Sequence, residues 1–296
     1  MLDEAIRART LRGQPIDSCP VFDVHGHIGA SRDSLVGEIM DSNCDEKFNS
    51  VYVNLEQQRG ISWPRALPLL MEAMNLTGIN RMVFSHLDAI TARTTDIYFK
   101  AHREAEEAIW FTEKRLLGYV VYAPHFVESS LTQLKRLKES SSGFVGVKLH
   151  CEVHDVRISD ERFNGLFEHL KDYPCPVLIH AHPLDTPLEI ARRAKSVPDT
   201  TFIMAHFWPG EHMAKFLTQE CPNVCIDICA SKTPLGQLER MVELVGSSRL
   251  LYGSDATYLS LGAQLAKVTL ADLTQAEKEA ILFQNASHIF SEYLTR

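Results

Sequence analysis

The sequence lacks long apolar runs and an excess of basic residues. No segment reaches the 18 or more consecutive apolar residues expected of a membrane-spanning helix, and the first ten residues carry charges where a secretory signal would be apolar. The chain has 30 lysine and arginine residues against 38 aspartate and glutamate residues, and this net charge of -8 argues against a nucleic acid or an anionic membrane as partner. We therefore expect a cytoplasmic protein that binds neither.

The sequence also lacks the even, dense set of cysteines typical of disulfide-stabilised secreted proteins. Its seven cysteines are an odd number in a chain of 296 residues, which is long enough to bury a large core without disulfides. Cys221, Cys225 and Cys229 are evenly spaced, but Pro222 interrupts the helix that would align them as metal ligands. We therefore expect reduced thiols and no cysteine metal site.

Linkers, low-complexity tracts and repeats that would mark a second domain are missing as well. What recurs is a short run rich in Val, Ile, Leu and Phe, followed by a polar turn and an amphipathic helical pattern. The runs are apolar throughout rather than alternating, which is typical of strands buried on both faces of a parallel sheet. Eight such units predict an α/β fold, a single (β/α)8 TIM barrel. The predicted strands cover residues 21–25, 81–86, 118–122, 144–150, 176–180, 201–206, 224–229 and 250–255.

The predicted barrel spans residues 20–296, after an N-terminal extension at residues 1–19. A long insert after strand 1, Gly29 to Asn80, holds two helical stretches interrupted by glycine and proline, and we expect it to cover the mouth of the barrel. A last helix, Gln275 to Tyr293, is expected to pack against the outside. Amphipathic helices between the strands are predicted at residues 104–115, 131–139, 161–172, 188–195, 211–220 and 235–245.

Two histidines end the first predicted strand, in Asp23-Val24-His25-Gly26-His27. Side chains two residues apart leave the same face of a strand, so both imidazoles can chelate one ion, and Gly26 lets the backbone approach it. Seven of the thirteen histidines fall at predicted strand ends, and His125 follows the third strand. Active sites of TIM barrels lie at this end of the strands. The seven are His25, His27, His86, His150, His180, His182 and His206.

Imidazoles that converge on a cleft with an aspartate are typical of a catalytic metal site. Asp255 ends the last strand, which lies beside strand 1 once the barrel closes, and Gly253 and Ser254 leave room around it. A bound ion lowers the pKa of its water from about 15.7 to about 7, and a carboxylate touching that water can take its proton. Asp255 is therefore the candidate base, and His206 can polarise a carbonyl or protonate a leaving group. Asp23 is expected to orient an imidazole.

The order of these motifs resembles the amidohydrolase superfamily, and specifically its family 2 branch of decarboxylases and lactonases. The resemblance covers about residues 20–292 and implies one divalent metal held by His25, His27, His180 and Asp255, with His206 as the acid/base group beside it. Zinc, manganese and iron all suit these donors, and we expect zinc. The matching motifs are Asp23-Val24-His25-Gly26-His27, Gly146-Val147-Lys148-Leu149-His150, Ile179-His180-Ala181-His182-Pro183, Met204-Ala205-His206, Tyr252-Gly253-Ser254-Asp255, and Asn285-Ala286 with Ile289-Phe290.

Lys148 decides between one metal and two. In two-metal members of the superfamily a carboxylated lysine on strand 4 bridges the ions, whereas in family 2 a lysine here more often stays free. A free ammonium at the mouth of the cleft would suit a carboxylate or phosphate of the substrate. We expect one metal and a free Lys148, with a second metal only if Lys148 is carboxylated. His150 and Trp208 are further candidates for substrate binding, Trp208 as a wall of the pocket.

Four functions are compatible with these residues. The first is a metal-dependent hydrolase that uses activated water on a small ester, lactone or amide. The second is a metal-dependent decarboxylase of a small unsaturated or aromatic carboxylic acid, which an extra positive pair near the mouth would favour. The third is a non-catalytic metal-binding barrel, which predicts that a key residue is missing although all are present. The fourth is a two-metal hydrolase or deaminase. The partner is then a small-molecule substrate, and the oligomeric state stays open, a homo-oligomer included.

Overall fold

Eight parallel strands form one sheet in chain order in the computed structural model, which describes residues 19–29, 63–139, 142–206, 210–230 and 232–294. Each strand lies within or beside a run predicted from the sequence, and the TIM-barrel α/β fold is confirmed. The strands are β1 Val21–Ile28, β2 Ile79–His86, β3 Leu116–Val121, β4 Phe144–His150, β5 Val177–His180, β6 Phe202–Met204, β7 Val224–Asp227 and β8 Leu250–Leu251.

The barrel closes almost completely between its last and first strands. The Val24 amide donates to the Tyr252 carbonyl at 2.9 Å, and the Asp255 amide donates to the His25 carbonyl at 2.7 Å. Because these bonds run between the segment after β8 and the carboxyl half of β1, the ends of the two strands meet. Asp255 is thereby brought beside the histidines of β1.

Helices follow the strands and cover the outside of the barrel. They are α1 Trp63–Thr77, α2 Leu87–Ile90, α3 Thr95–Phe111, α4 Val127–Leu134, α5 Cys151–His154, α6 Asn164–Asp172, α7 Pro187–Ser196, α8 Glu211–Glu220, α9 Gln237–Val245, α10 Leu261–Thr269, α11 Gln275–Glu279, α12 Asn285–Ile289 and α13 Ser291–Leu294. Short 3₁₀ turns cover Lys135–Lys138, Glu161–Phe163 and Ser247–Arg249. Within these described residues no helix is long and apolar enough to cross a membrane.

The last predicted helix is divided in the structure. A π-helical turn, Ala280–Gln284, separates α11 from α12, and Phe290 ends α12. The Phe290 ring packs on Phe22 at a centroid distance of 5.5 Å and on Tyr119 at 6.4 Å. Since Phe22 lies near the start of β1, these C-terminal helices cover the amino ends of the strands rather than only the outside. The histidines lie toward the opposite, carboxyl ends.

Among the described residues, apolar side chains form three buried clusters, and alternate positions of the strands contribute to the two larger ones. One of these two packs the strands against the helices, with Phe84, Val147 and Phe202 among its members, and the other, with Leu117 and Leu178, lies on the other face. The six cysteines of the described residues are all buried and free, which agrees with reduced thiols.

Some sequence predictions fall outside the described residues. They are the N-terminal extension except Cys19, residues 30–62 of the insert after strand 1, and Trp208. The described end of the insert is α1, which contains Pro68 without ending there. The turns after Pro68 bury Leu70 and Met74 in the core, and this packing outweighs the one backbone hydrogen bond that proline removes.

Candidate active site

The two histidines of β1 are held by their Nδ1 atoms. His25 Nδ1 lies 2.6 Å from Asp227 Oδ2, and His27 Nδ1 lies 3.3 Å from the backbone carbonyl and 3.0 Å from the hydroxyl of Ser85. A carboxylate and a carbonyl oxygen can only accept, so these bonds place the imidazole protons on Nδ1 and leave the Nε2 lone pairs free. The Nε2 atoms of His25 and His27 lie 3.6 and 3.1 Å from Asp255 Oδ1. The predicted pair and Asp255 are therefore brought together.

This donor set fits a divalent cation. His27 Nε2 and Asp255 Oδ1 are both acceptors, yet they face each other at 3.1 Å in a buried place. Two ligand atoms at about 2.1 Å from one ion lie roughly 3–3.5 Å apart, so a cation between them would convert this repulsion into two bonds. Burial and the neighbouring Lys148 hold the pKa of His25 well below its usual range, and burial likewise lowers the pKa of His27. Both imidazoles are thus in the neutral form that binds metals.

Asp255 is held in an unusual backbone conformation. Its φ is 54°, and that of His206 is 65°, a left-handed region that non-glycine residues rarely adopt and that costs about 1–3 kcal/mol. Glu113, Lys114 and Asp155 also have positive φ angles, so the conformation includes the two residues predicted to be catalytic but is not confined to them. Burial by itself would raise the pKa of Asp255, and a positive partner shared with His27 and His25, a proton or an ion, is what lowers it. Asp255 is therefore an anion.

His180 and His206 form a second hydrogen-bonded group beside the first. His206 Nε2 lies 3.0 Å from His180 Nδ1, and His180 Nε2 lies 2.7 Å from Glu152 Oε2. Burial lowers the pKa of His180 to about 2 and also lowers that of His206. Among the described residues, the close donor group of His25, His27 and Asp255 does not include His180. His150 pairs with His180 in the β4–β5 register, and their rings stack at a centroid distance of 4.0 Å.

Lys148 lies at the bottom of the site and not at its mouth. Its side chain is fully buried, and its Nζ lies 3.0 Å from His25 Nε2. Burial lowers the pKa of Lys148 to about 8. The expected position at the mouth was wrong because a seven-residue apolar strand, Phe144–His150, is buried along its whole length except at His150, so its one lysine is enclosed with it.

A cavity of about 510 Å³ lies over these groups. Imidazoles, Asp255 and apolar side chains line it, and Lys232 lies in its wall. The Lys232 side chain is exposed at this wall. The lining residues are His27, Leu87, Ile90, Thr91, His150, Val153, His180, His206, Ala230, Lys232, Asp255, Tyr258 and Leu259.

Sequence reasoning missed several residues that support the site. Asp227 ends β7, so the strand-end rule that selected the histidines points to it without showing which imidazole it meets. Gly253 is needed for it, because a Cβ there would lie 2.2 Å from Asp227 Oδ1, so the space at this glycine serves Asp227 rather than Asp255. Cys229 and Glu152, which contact His206 and His180, carry no pattern that distinguishes them from other buried thiols or helix glutamates.

Two secondary expectations have different outcomes. Among the described residues Asp23 makes no hydrogen bond to an imidazole: its Oδ1 accepts from the backbone amides of His25 and Ser254, both at 3.0 Å, and so fixes the main chain of the site. Burial raises the pKa of Asp23 to about 8. His182 lies outside the cavity lining, with Nε2 3.1 Å from Asp155 Oδ1, so it belongs to the loop after β5.

The family model described as amidohydrolase matches residues 91–291, more than half of the chain. The protein therefore belongs to the amidohydrolase family, and the resemblance stated from its motifs is confirmed. No curated protein matches the chain.

Solved structures of similar fold include several decarboxylases. A 5-carboxyvanillate decarboxylase from Novosphingobium aromaticivorans, complexed with manganese, is 15% identical with a TM-score of 0.69, over 93% of this chain and 96% of that one. A 2,6-dihydroxybenzoate decarboxylase from Rhizobium is 15% identical with a TM-score of 0.68, over 94% and 99%. An uncharacterised TIM-barrel protein from Bordetella bronchiseptica is 16% identical with a TM-score of 0.72, over 93% and 99%. At these identities the likeness shows the fold.

Proposed function

We propose that this amidohydrolase-family chain is a metal-dependent decarboxylase of a small aromatic or unsaturated carboxylic acid. The observation that carries the proposal is the convergence of His25, His27 and Asp255 beside a cavity that also holds His206 and the cation Lys232. The decarboxylases of similar fold, a 5-carboxyvanillate decarboxylase and dihydroxybenzoate decarboxylases, two of which are described with manganese, favour this function over the hydrolase expected first from the sequence.

His25, His27 and Asp255 would hold the proposed ion, and His180 would be a fourth ligand. A divalent ion there would supply positive charge to a substrate carboxylate and to the negative charge that develops on the ring. Manganese is proposed because a fold neighbour holds it. Zinc, the expected ion, suits the same imidazole and carboxylate donors, so metal content has to be measured.

His206 is the proposed proton donor. In decarboxylation the bond from the ring carbon to the carboxylate breaks, CO₂ leaves, and the electron pair stays on the carbon, which then takes a proton. His206 lines the cavity, and its ring lies between His180 Nδ1 at 3.0 Å and Cys229 Sγ at 3.1 Å, so it has a defined position from which it can deliver that proton. Solvent then restores the proton.

The cavity wall suits an anionic, flat substrate. Leu87, Ile90, Val153 and Tyr258 offer apolar surface to a ring. Lys232 adds a cation close to the imidazoles, which fits the carboxylate or a second acidic substituent of such a substrate. This cation was not foreseen, and it supplies part of the positive charge at the mouth that would distinguish a decarboxylase from a hydrolase.

Hydrolysis of an ester, lactone or amide is the second candidate. Asp255 favours it, because an ionised carboxylate 3.1 Å from a ligand atom could take the proton of a water activated at the same site. The same residues hold the ion in both cases, so only the reaction separates the two functions.

The deciding experiment measures metal content and product together. The protein is purified without added metal or chelator, its metals are measured by mass spectrometry, and it is then assayed with manganese or zinc. CO₂ release is followed with 2,6-dihydroxybenzoate, 5-carboxyvanillate and a panel of unsaturated acids, and hydrolysis with a panel of esters, lactones and amides. We expect metal-dependent CO₂ release. Hydrolysis of the second panel without CO₂ release from the first would replace the proposal with the hydrolase.

A further inference from the structure

Two one-turn helices carry three apolar residues of the cavity lining. Leu87 and Ile90 lie on α2, and Val153 lies on α5. A helix of four residues satisfies few of its own backbone groups and is not stable alone, so its position depends on what binds its two ends. The shape of this part of the wall is therefore set by the partners of the helix ends.

Both helices begin without a loop, at the residue after a strand. α2 starts at Leu87 directly after β2, and α5 starts at Cys151 directly after β4, so the strands fix their amino ends. Their carboxyl ends have no such support, because the last carbonyl groups of a helix find no partner within it. The carbonyl groups of Ile90 and His154, the last residues of α2 and α5, need donors from elsewhere.

Each of these two carbonyl groups accepts from an imidazole of another loop. His154 Nε2–H donates to the Ile90 carbonyl at 2.8 Å, and His125 Nε2–H donates to the His154 carbonyl at 2.9 Å. The rings of His125 and His154 also meet edge to face, at a centroid distance of 5.9 Å. Because His125 follows β3, the two bonds join the loops after three neighbouring strands, β2, β3 and β4.

The bond to Ile90 is the feature that the His154 imidazole supplies. The residue is 7% exposed, and within the described parts of the chain its Nδ1 has no hydrogen-bond partner. Burial of an unpaired nitrogen is unfavourable, so an apolar side chain would suit this position better if it only had to fill space. His154 lies outside the cavity lining, so it acts on the cavity through α2.

We propose that His154 is a positioning residue for substrate binding: its Nε2–H fixes the carboxyl end of α2, and with it the Ile90 side chain, at the cavity wall. Ile90 and Leu87 belong to one buried apolar cluster, against which Val153 packs, so a shift of this helix end changes the shape of the wall. The use of the wall for an apolar ring rests on the proposed function, whereas the attachment of α2 does not.

The test compares His154→Met with His154→Gln in the full chain. Methionine fills similar space without a donor, whereas the glutamine amide nitrogen is as many bonds from Cβ as Nε2 is and can donate to the same carbonyl. Hydrogen exchange by mass spectrometry follows residues 87–91, and steady-state kinetics use the best substrate of the CO₂ and hydrolysis panels. In His154→Met we expect faster exchange and a KM raised about tenfold with kcat within about twofold, and recovery of both in His154→Gln.

His169→Met is the matched control, because it removes a partly buried histidine of the outer helix α6, and it should leave both measurements unchanged. If His154→Met does not fold, His154→Asn replaces it, since its shorter amide does not reach the Ile90 carbonyl. Loss of the fold in both variants would assign His154 to the stability of the barrel and overturn the proposal.

Two results in a folded variant would also overturn it. Unchanged exchange in residues 87–91 would show that the bond does not fix α2. Faster exchange with an unchanged KM would show that the fixed end does not serve substrate binding. The exchange measurement needs no substrate, and KM can be read from either reaction, so failure of this inference is distinct from failure of the decarboxylase proposal.

Discussion

The two sides of the cavity differ in how rigidly their side chains are held. The β1 side comprises His25, His27 and Asp255, and the β5 side comprises His150, His180 and Glu152. On the β1 side, His25 and Asp255 have side-chain exposures of 0% and 14%, and the imidazoles are held by Asp227 of β7 and Ser85 of β2. On the β5 side, His180 is 26% exposed and its partner Glu152 is 51% exposed on the one-turn helix α5. Bonds anchored in neighbouring strands keep their geometry, whereas a contact with a half-exposed glutamate is screened by solvent.

From this difference we expect the two sides to have different roles in binding. The β1 side is pre-organised and would set the affinity for the ion, because the positions of its donors do not depend on what is bound. The β5 side can rearrange: the stacked rings of His150 and His180 and the contact with Glu152 can adjust when an ion or a substrate arrives. Substitutions on the two sides should therefore have effects of different size on metal binding.

His25→Ala is expected to have the largest effect, loss of most of the bound metal. It removes a Nε2 donor that the buried Asp227 holds in position, and no neighbouring described side chain can replace it from the same strand. The loss should exceed the ~10–100-fold in affinity typical of removing a supporting residue. The measurement is metal per chain by mass spectrometry after dialysis. His182→Ala, a histidine of the loop after β5, is the control, and full metal in His25→Ala would contradict the assignment.

Asp227→Asn and Glu152→Gln compare the supports of the two sides directly. Asp227→Asn removes the charge that holds the Nδ1 proton of His25, and we expect metal affinity to fall by ~10–100-fold. Glu152→Gln keeps an acceptor oxygen for His180 at a half-exposed position, so the change should stay within about threefold. Titration of metal-free protein with manganese or zinc measures both. Equal losses in the two variants would show that the two sides do not differ.

The fold could be predicted from the sequence because its signal is repeated. Eight buried parallel strands require eight continuous apolar runs, so an error at the end of any one of them, such as the two-residue extent of β8, leaves the topology unchanged. The end of the chain was less predictable: its helical pattern covers α11 to α13, but a π-helical turn and the packing of Phe290 on the amino ends of the strands depend on tertiary contacts.

The site was predictable where one strand carries several of its residues. His25 and His27 share a strand, and Asp255 could be placed by closure of the barrel. Asp227 could not be assigned, since a lone aspartate at a strand end does not show which imidazole it meets. The choice between hydrolase and decarboxylase also lay beyond the motifs, because both reactions use the same ion-binding residues and differ in the cavity wall, where Lys232 lies.

Lys232→Ala tests the cavity wall and should have a moderate effect on substrate binding. The lysine is an exposed cation, so its attraction for an acidic substrate is screened, and we expect KM to rise roughly fivefold with kcat nearly unchanged. The measurement is steady-state kinetics with the best acid found in the CO₂ assay. Lys195→Ala, which removes a lysine paired with Glu220 on the outer surface, is the control. A fall in kcat with constant KM would place Lys232 in the reaction itself.

Lys148→Met should have the smallest effect of these substitutions. We expect it to leave the number of bound ions per chain unchanged. The Lys148 Nζ contacts His25 Nε2 at 3.0 Å, on the lone pair that an ion would use, so a bound ion and this contact exclude each other. An uncharged side chain of similar length therefore leaves about one ion per chain. A carboxylated lysine would behave differently, because it would bridge two ions, and the variant would lose one of them. Added bicarbonate sharpens the comparison: it would raise the metal content of the wild type, but not of Lys148→Met, only if Lys148 is carboxylated.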